Sequence, residues 1–249
     1  MLELTVDTRV DLARSSARHG AGLFEVIRIR QGRALRLDAH MARLAHGAAF
    51  LGLEAPPEAH VVEAYLENHT DCLRLPSGVL RLLAVDDRLI VTLAPWTAFR
   101  PQRIDIAIGH RVVRRSANPL NRFKTMAYLE NLLLTREAED RALFEVIALN
   151  EYGRLTDGGR MSLFVIRGER LLTPPLADGP LPGIARGALL QVGLAEEAPL
   201  TPRELEQAEA AFLTSALKGV VPVNGVEGGS PKDVRHPLLC KCSEILDAE

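Results

Sequence analysis

From Leu23 to Arg30 (LFEVIRIR) apolar and polar side chains alternate, the period of a strand with one buried face. Gln31-Gly32-Arg33 reads as a turn and Ala34 to Leu37 as a returning strand, which predicts a β-hairpin. Asp38 then reads as a helix N-cap. The apolar positions Met41, Leu44, Ala45, Ala48 and Ala49 recur at helical spacing and stop near Gly52. A second helix is predicted over Glu58 to Glu67. Two strands follow, Val79 to Val85 and Leu89 to Leu93, joined by a tight turn at Asp86-Asp87.

The run Ala94 to Pro101 carries two prolines and breaks the periodicity, as an interdomain linker does. A linker over 97–102 would divide a small N-terminal domain, 1–96, from a larger C-terminal domain, 103–249. Beyond it the pattern predicts a strand through Ile104, Ile106 and Ile108, a polar loop from Arg114 to Arg122, and a long helix from Thr125 to about Arg141. Strands at Phe144 to Leu149 and Leu163 to Arg167 flank a turn at Asn150 to Gly153. A helix from Gly183 to Leu194, a short helix from Pro202 to Gln207 and a strand from Ala211 to Thr214 complete the reading. The mixture lacks the regular strand–helix alternation of a doubly wound sheet and predicts an α+β protein.

At 249 residues, 47% of them hydrophobic, the chain can bury a core without disulfides or a structural metal. Thirty basic against thirty-two acidic side chains give a net charge of −2, too little to draw the chain to nucleic acid or an anionic membrane. No run approaches the ~18 uninterrupted apolar residues of a membrane span, and the acidic N-terminus does not read as a secretory signal. The expected location is the cytoplasm. Three cysteines, Cys72, Cys240 and Cys242, form no disulfide framework, and Cys240, Cys242 and His236 lack the spacing of a zinc site. All seven histidines read as solvated or packed, and no metal is expected. Neither a GxSxG elbow nor a Walker-type phosphate loop is present.

Six blocks in order carry the chemistry: HGAGLFEVIRI (19–29), LDAHMARL (37–44), FKTMAYLENLLLTREA (123–138), EVIALNEYGRLTDGGRMSLFVI (145–166), LLTPPLADGPLPGIAR (171–186) and FLTSALKGVVPV (212–223). From about Arg18 to Val223 the sequence resembles the class IV aminotransferases, the fold-type IV pyridoxal-phosphate enzymes. The resemblance implies a small N-terminal α/β domain, a C-terminal pseudo-barrel domain, and a homodimer with pyridoxal 5'-phosphate in the cleft between domains.

Under that resemblance Lys124 matches the lysine that holds the cofactor covalently; its amine, once deprotonated, attacks a carbonyl and serves as base at the substrate's α-carbon. Asp157 stands where the family usually has a glutamate facing the pyridine nitrogen, which a carboxylate keeps protonated. It is one methylene shorter. Arg43 matches the phosphate arginine, and backbone amides at Gly183, Ile184 and Ala185 open a helix and so offer an anion site. Ser215 and Ala216 match a second set of phosphate donors. Alanine at 185 and 216 departs from the hydroxyl residues common there, which predicts weaker cofactor retention, and Ser162 replaces an expected asparagine. Tyr128, read as one helical turn beyond Lys124, is expected near the cofactor's ring oxygen. Arg28, Arg81 and Lys218 are candidate partners for a substrate carboxylate, each also readable as a surface charge.

Within the family the FLTSALKGVVPV and LPGIAR blocks most resemble aminodeoxychorismate lyases. The expected reaction is therefore elimination of pyruvate from 4-amino-4-deoxychorismate to give 4-aminobenzoate, a small-molecule lyase reaction of folate synthesis. The alternatives are an amino-acid aminotransferase of the D-amino-acid or branched-chain type, and a non-catalytic homologue that only binds the cofactor.

Overall fold

A computed structural model describes residues 1–11, 13–69, 75–97 and 104–248. Cys72 and most of the expected linker, 98–102, lie outside the described residues. The chain forms two compact units. One comprises Met1–Phe99 together with Phe123–Tyr128, the other Arg100–Arg122 together with Leu129–Glu249.

The first unit is built on one sheet of β1 (Glu3–Thr5), β2 (Gly22–Arg30), β3 (Arg33–Ala34), β4 (Ser77–Val85) and β5 (Arg88–Pro95), in the order β1-β5-β4-β2-β3. A short helix α1 (Ser15–His19) leads into β2, and α2 (Leu37–Leu51) and α3 (Ala59–His69) follow the β2–β3 hairpin. Leu23, Ile27 and Ile29 of β2, Leu80 and Leu82 of β4, and Leu89 and Val91 of β5 form a core with Met41, Leu44 and Ala48 of α2 and Val62 and Leu66 of α3. The predicted β4–β5 turn at Asp86-Asp87 is present, with Asp86 at φ 54°. Gly52 ends α2 in the left-handed region as expected. Its start differs, because Leu37 is already helical, Arg36 holds the cap position at φ 53°, and Asp38 sits inside the first turn. There its charge still favours the helix dipole.

The largest difference concerns Phe123–Tyr128. The middle of this segment pairs with β2, through a bridge between Leu23 and Thr125, before the chain turns at Met126. The Phe24 N–H donates to the Lys124 carbonyl at 2.9 Å, and the Met126 N–H to that of Gly22 at 2.8 Å. The helix predicted from Thr125 therefore begins only at Leu129, since the sheet has already claimed the main-chain groups that a helix would need. Gly22 permits the close approach: a Cβ there would lie 2.5 Å from the Met126 sulfur and 2.8 Å from the Ala84 carbonyl.

The second unit holds two sheets. One runs β14-β6-β7-β8, from β6 (Asp105–Arg114), β7 (Glu145–Asn150), β8 (Leu155–Gly158) and β14 (Gly225–Val226). The other runs β11-β10-β9-β12-β13, from β9 (Ser162–Arg167), β10 (Arg170–Thr173), β11 (Glu196–Glu197), β12 (Ala210–Ser215) and β13 (Gly219–Pro222). Their apolar faces share Ile106, Ile147, Leu155, Leu163, Val165 and Leu213. Helix α4 (Leu129–Asp140) covers β6 and β7 through Leu134 and Ala138. Helix α5 (Ile184–Gln191) and the C-terminal α7 (Pro237–Asp247) cover Phe164 and Phe212, and α6 (Pro202–Glu206) opens with a Thr201/Glu204 capping box. On α7, Cys242 is buried with its thiol pushed up to about 12 by burial, whereas Cys240 is exposed. Among the described residues no helix is long and apolar enough to cross a membrane.

Candidate active site

In the first unit, the Phe123–Tyr128 segment presents Lys124 beside β2. Its amine donates to the Tyr128 hydroxyl at 3.2 Å and lies 4.1 Å over the Phe24 ring and 4.5 Å over the Tyr128 ring. Phe24 and Tyr128 meet edge to face, 5.2 Å between centroids. Tyr128 thus does approach Lys124, but around a tight turn, its N–H bonded to the Met126 carbonyl at 2.8 Å, rather than across a helical turn. Alternation along β2 puts Arg28 on the same face as Phe24, and the β2–β4 register sets Arg81 opposite Val26 on that face too. Arg28 stacks 5.0 Å over Trp96, and Arg81 is exposed.

On the opposite face of β2, Glu25 stands in register with Leu82, in the core row of Leu23 and Ile27. It is 1% exposed. Arg43, on α2, grips it with two bonds, Nε to Oε1 at 2.8 Å and Nη2 to Oε2 at 2.6 Å. The His40 Nδ1 lies 2.6 Å from Oε2. Burial pushes the Glu25 carboxyl up, but the bonds from His40 and Arg43 outweigh it and hold it below its ordinary value. Burial lowers the His40 imidazole against the pull of Glu25.

In the second unit, Asp157 ends β8 nearly buried. Its Oδ1 accepts from Arg114 Nη2 at 3.2 Å and its Oδ2 from the Leu181 N–H at 2.9 Å. Arg114 also donates to Glu130 and Asn131 of α4. Both carboxylate oxygens are thus engaged, each with a lone pair to spare.

Helix α5 opens at Gly183, whose side of the helix carries no side-chain cap, so its first N–H groups at Ile184 and Ala185 are presented for an anion. A Cβ at Gly183 would meet the Ser162 Oγ at 2.6 Å, so the glycine is what lets this loop close down on β9. The Ala185 methyl packs into the core with Phe164 and Leu189. A hydroxyl there would point into apolar surroundings, so only the Ala185 backbone can serve an anion. Ser215 ends β12, its Oγ accepting from the Lys218 N–H at 3.2 Å across the turn that contains Ala216. Burial lowers the Lys218 amine, aided by the charge of Arg160 and opposed by Glu145. Glu145 lies fully buried beneath Gly158 and Gly159. It accepts from the Gly159 N–H at 3.2 Å and faces Arg160 Nε at 3.5 Å, and burial pushes its carboxyl up.

The structure therefore gathers Lys124 and Tyr128, with Arg28 and Arg81 on the same sheet face, in the first unit. It places Asp157, the α5 N-terminus, Ser215, Ala216 and Lys218 in the second. Glu25, His40, Arg114, Glu145 and Arg160 were not singled out from sequence. Of these, Glu25 alone carried a local signal, a charge in the inward register of a strand.

A family model described as amino-transferase class IV matches residues 22–226. The chain belongs to the class IV aminotransferase family. Enzymes of this family use pyridoxal 5'-phosphate. This class IV chain is 27% identical over 238 residues to a D-alanine aminotransferase of Bacillus licheniformis, covering 88% of the chain and 83% of that protein. It is 24% identical to an aminodeoxychorismate lyase of Bacillus subtilis, covering 84% and 78%. A crystal structure of the branched-chain aminotransferase from Thermoproteus uzoniensis with norvaline superposes with a TM-score of 0.86 at 24% identity, covering 98% of this chain and 91% of that one. The two sheet-based units have the fold-type IV architecture expected from sequence. Taken unit by unit, the groups are of the kinds that the family's cofactor takes: in the first an amine set among aromatic rings and a part-exposed arginine, in the second a buried carboxylate and a helix start whose glycine admits no Cβ.

Proposed function

We propose that this class IV enzyme is a pyridoxal-phosphate-dependent aminotransferase acting on a small amino acid and a keto acid. The observation that carries the reading is the Lys124 amine, held 3.2 Å from the Tyr128 hydroxyl and over the Phe24 ring on a backbone-paired segment. A bare ammonium at the surface has no need of two aromatic faces and a phenol. When bound, the cofactor supplies an aldehyde for exchange with substrate amines and an electron sink for cleavage at the α-carbon. Lys124 Nζ takes and returns the α-proton, and Tyr128 orients it. Asp157, steadied by Arg114 and the Leu181 N–H, keeps a proton at the ring nitrogen. Arg43 in the first unit, and the Ile184 and Ala185 amides, Ser215 and the Ala216 turn in the second, are the candidate groups that would hold the phosphate. Arg28, Arg81 and Lys218 are the candidate carboxylate partners.

The family description and the D-alanine aminotransferase likeness favour transamination over the elimination expected from the FLTSALKGVVPV block. That block, and the likeness to the Bacillus subtilis lyase, support pyruvate elimination from aminodeoxychorismate as the second reading. Either activity is proposed for a cytoplasmic homodimer.

Mixing the full chain with pyridoxal 5'-phosphate and then with D-alanine, L-alanine or valine tests the first reading. Loss of the yellow aldehyde-form absorbance, restored by a keto acid, is the expected result, and Lys124→Ala abolishes it. Pyruvate and 4-aminobenzoate from aminodeoxychorismate generated in situ, without that cycling, would instead establish the second. A chain that takes up no cofactor at all would sink both.

A further inference from the structure

Glu25 has no place in the reactions above, yet it lies in the core-facing row of β2 with both oxygens bonded. A carboxylate in that row is costly unless it is matched. It is matched by the residue assigned to the phosphate and by His40, three positions earlier on the same face of α2. We propose that Glu25 is a positioning residue that fixes the Arg43 guanidinium for the cofactor's phosphate, with His40 bracing the carboxylate from its other side. This rests on the reading of Arg43 as the phosphate arginine.

An arginine on a helix surface samples many rotamers and must surrender that freedom when it binds an anion. Here the Nε–Nη2 edge is docked onto Glu25 in the planar fork-to-fork geometry, so the ordering is completed before any ligand arrives. The Arg43 side chain is 12% exposed, so the guanidinium is seated without being sealed off. His40 is 1% exposed, and its Nε2 has no partner among the described residues. The imidazole's one bond is thus spent on Glu25, as expected of a brace.

The test compares two probes on the full-length protein, pyridoxal 5'-phosphate and pyridoxal, which shares the aldehyde but has no phosphate. Dissociation constants from absorbance titration give a preference ratio for the phosphate-bearing probe. Arg43→Ala is expected to lower that ratio at least tenfold, which checks the reading of Arg43 on its own. Glu25→Gln and Glu25→Asp are expected to lower it several-fold with pyridoxal affinity unchanged, and His40→Gln to lower it less. If Arg43→Ala lowers the ratio while the Glu25 variants leave it untouched, or weaken both probes equally, Glu25 is merely structural and the inference is overturned. If Arg43→Ala leaves the ratio unchanged, the assignment of Arg43 fails instead. Should Glu25→Gln not fold, Glu25→Asp decides, since it keeps the charge but withdraws it from the fork.

Discussion

Glu25 in the first unit and Glu145 in the second are equally hidden, 1% and 0% exposed, but their carboxyls move in opposite directions. Glu25 receives an arginine fork at 2.8 and 2.6 Å and an imidazole at 2.6 Å. Glu145 receives the Gly159 backbone N–H at 3.2 Å, a weaker backbone contact from Arg160, and that residue's guanidinium only at 3.5 Å. Burial disfavours both charges, and only close, charged donors overcome it. What a buried acid does is decided by its donors rather than by its depth.

The sharpest way to break this contrast is substitution. Glu25→Leu leaves Arg43 beside an apolar group and is expected to cost about 3–5 kcal/mol in urea unfolding, the typical penalty for removing one partner of a buried pair. Glu145→Gln keeps an acceptor for the Gly159 N–H and removes a poorly matched charge, so stability should hold level or rise. Equal losses in the two variants would erase the distinction.

Acidification gives a smaller effect. His40 is lowered from 6.5, so the unfolded chain takes up a proton first as pH falls through that value, and stability declines from there. Glu25, lowered from 4.5, adds to the loss as pH falls below that value. Glu145 is raised from 4.5, so the folded chain protonates first and acidification regains stability. The acid limb of unfolding midpoint against pH should therefore steepen in Glu145→Gln and flatten in His40→Gln. The smallest effect is expected for Arg160→Met, which removes a cation facing both Glu145 and Lys218. Amine-labelling profiles against pH should show Lys218 holding its proton to higher pH in that variant, and an unchanged profile would show that Arg160 does not reach it.

Much of this organisation was legible in the sequence. Alternation marked β2, β4 and β5, and Gly52 marked the end of α2; block order singles out Lys124, Arg43 and Asp157 as candidates. The start of the lysine segment was not, because Thr125 onward fits a helix by period alone, and only the main-chain pairing with Gly22 and Phe24 overrides it. Arg114 lies 43 residues from Asp157, and no local pattern links them. Helix α7 carries a readable period as well: Leu238, Leu239, Cys242, Ile245 and Leu246 recur at helical spacing after Pro237.

The stitching of Phe123–Tyr128 onto β2 bears on how this enzyme can be altered. Because the amine's address is set by carbonyl and amide groups, exchanges at Thr125 and Met126 that keep side-chain volume need not relocate it. The bare positions at 20 and 22 admit no such exchange. Gly20 is at φ 66°, and an added methyl would press on Ala127 at 3.1–3.2 Å. Re-engineering for new substrates has latitude along the lysine ribbon itself and almost none at the two glycines beneath it.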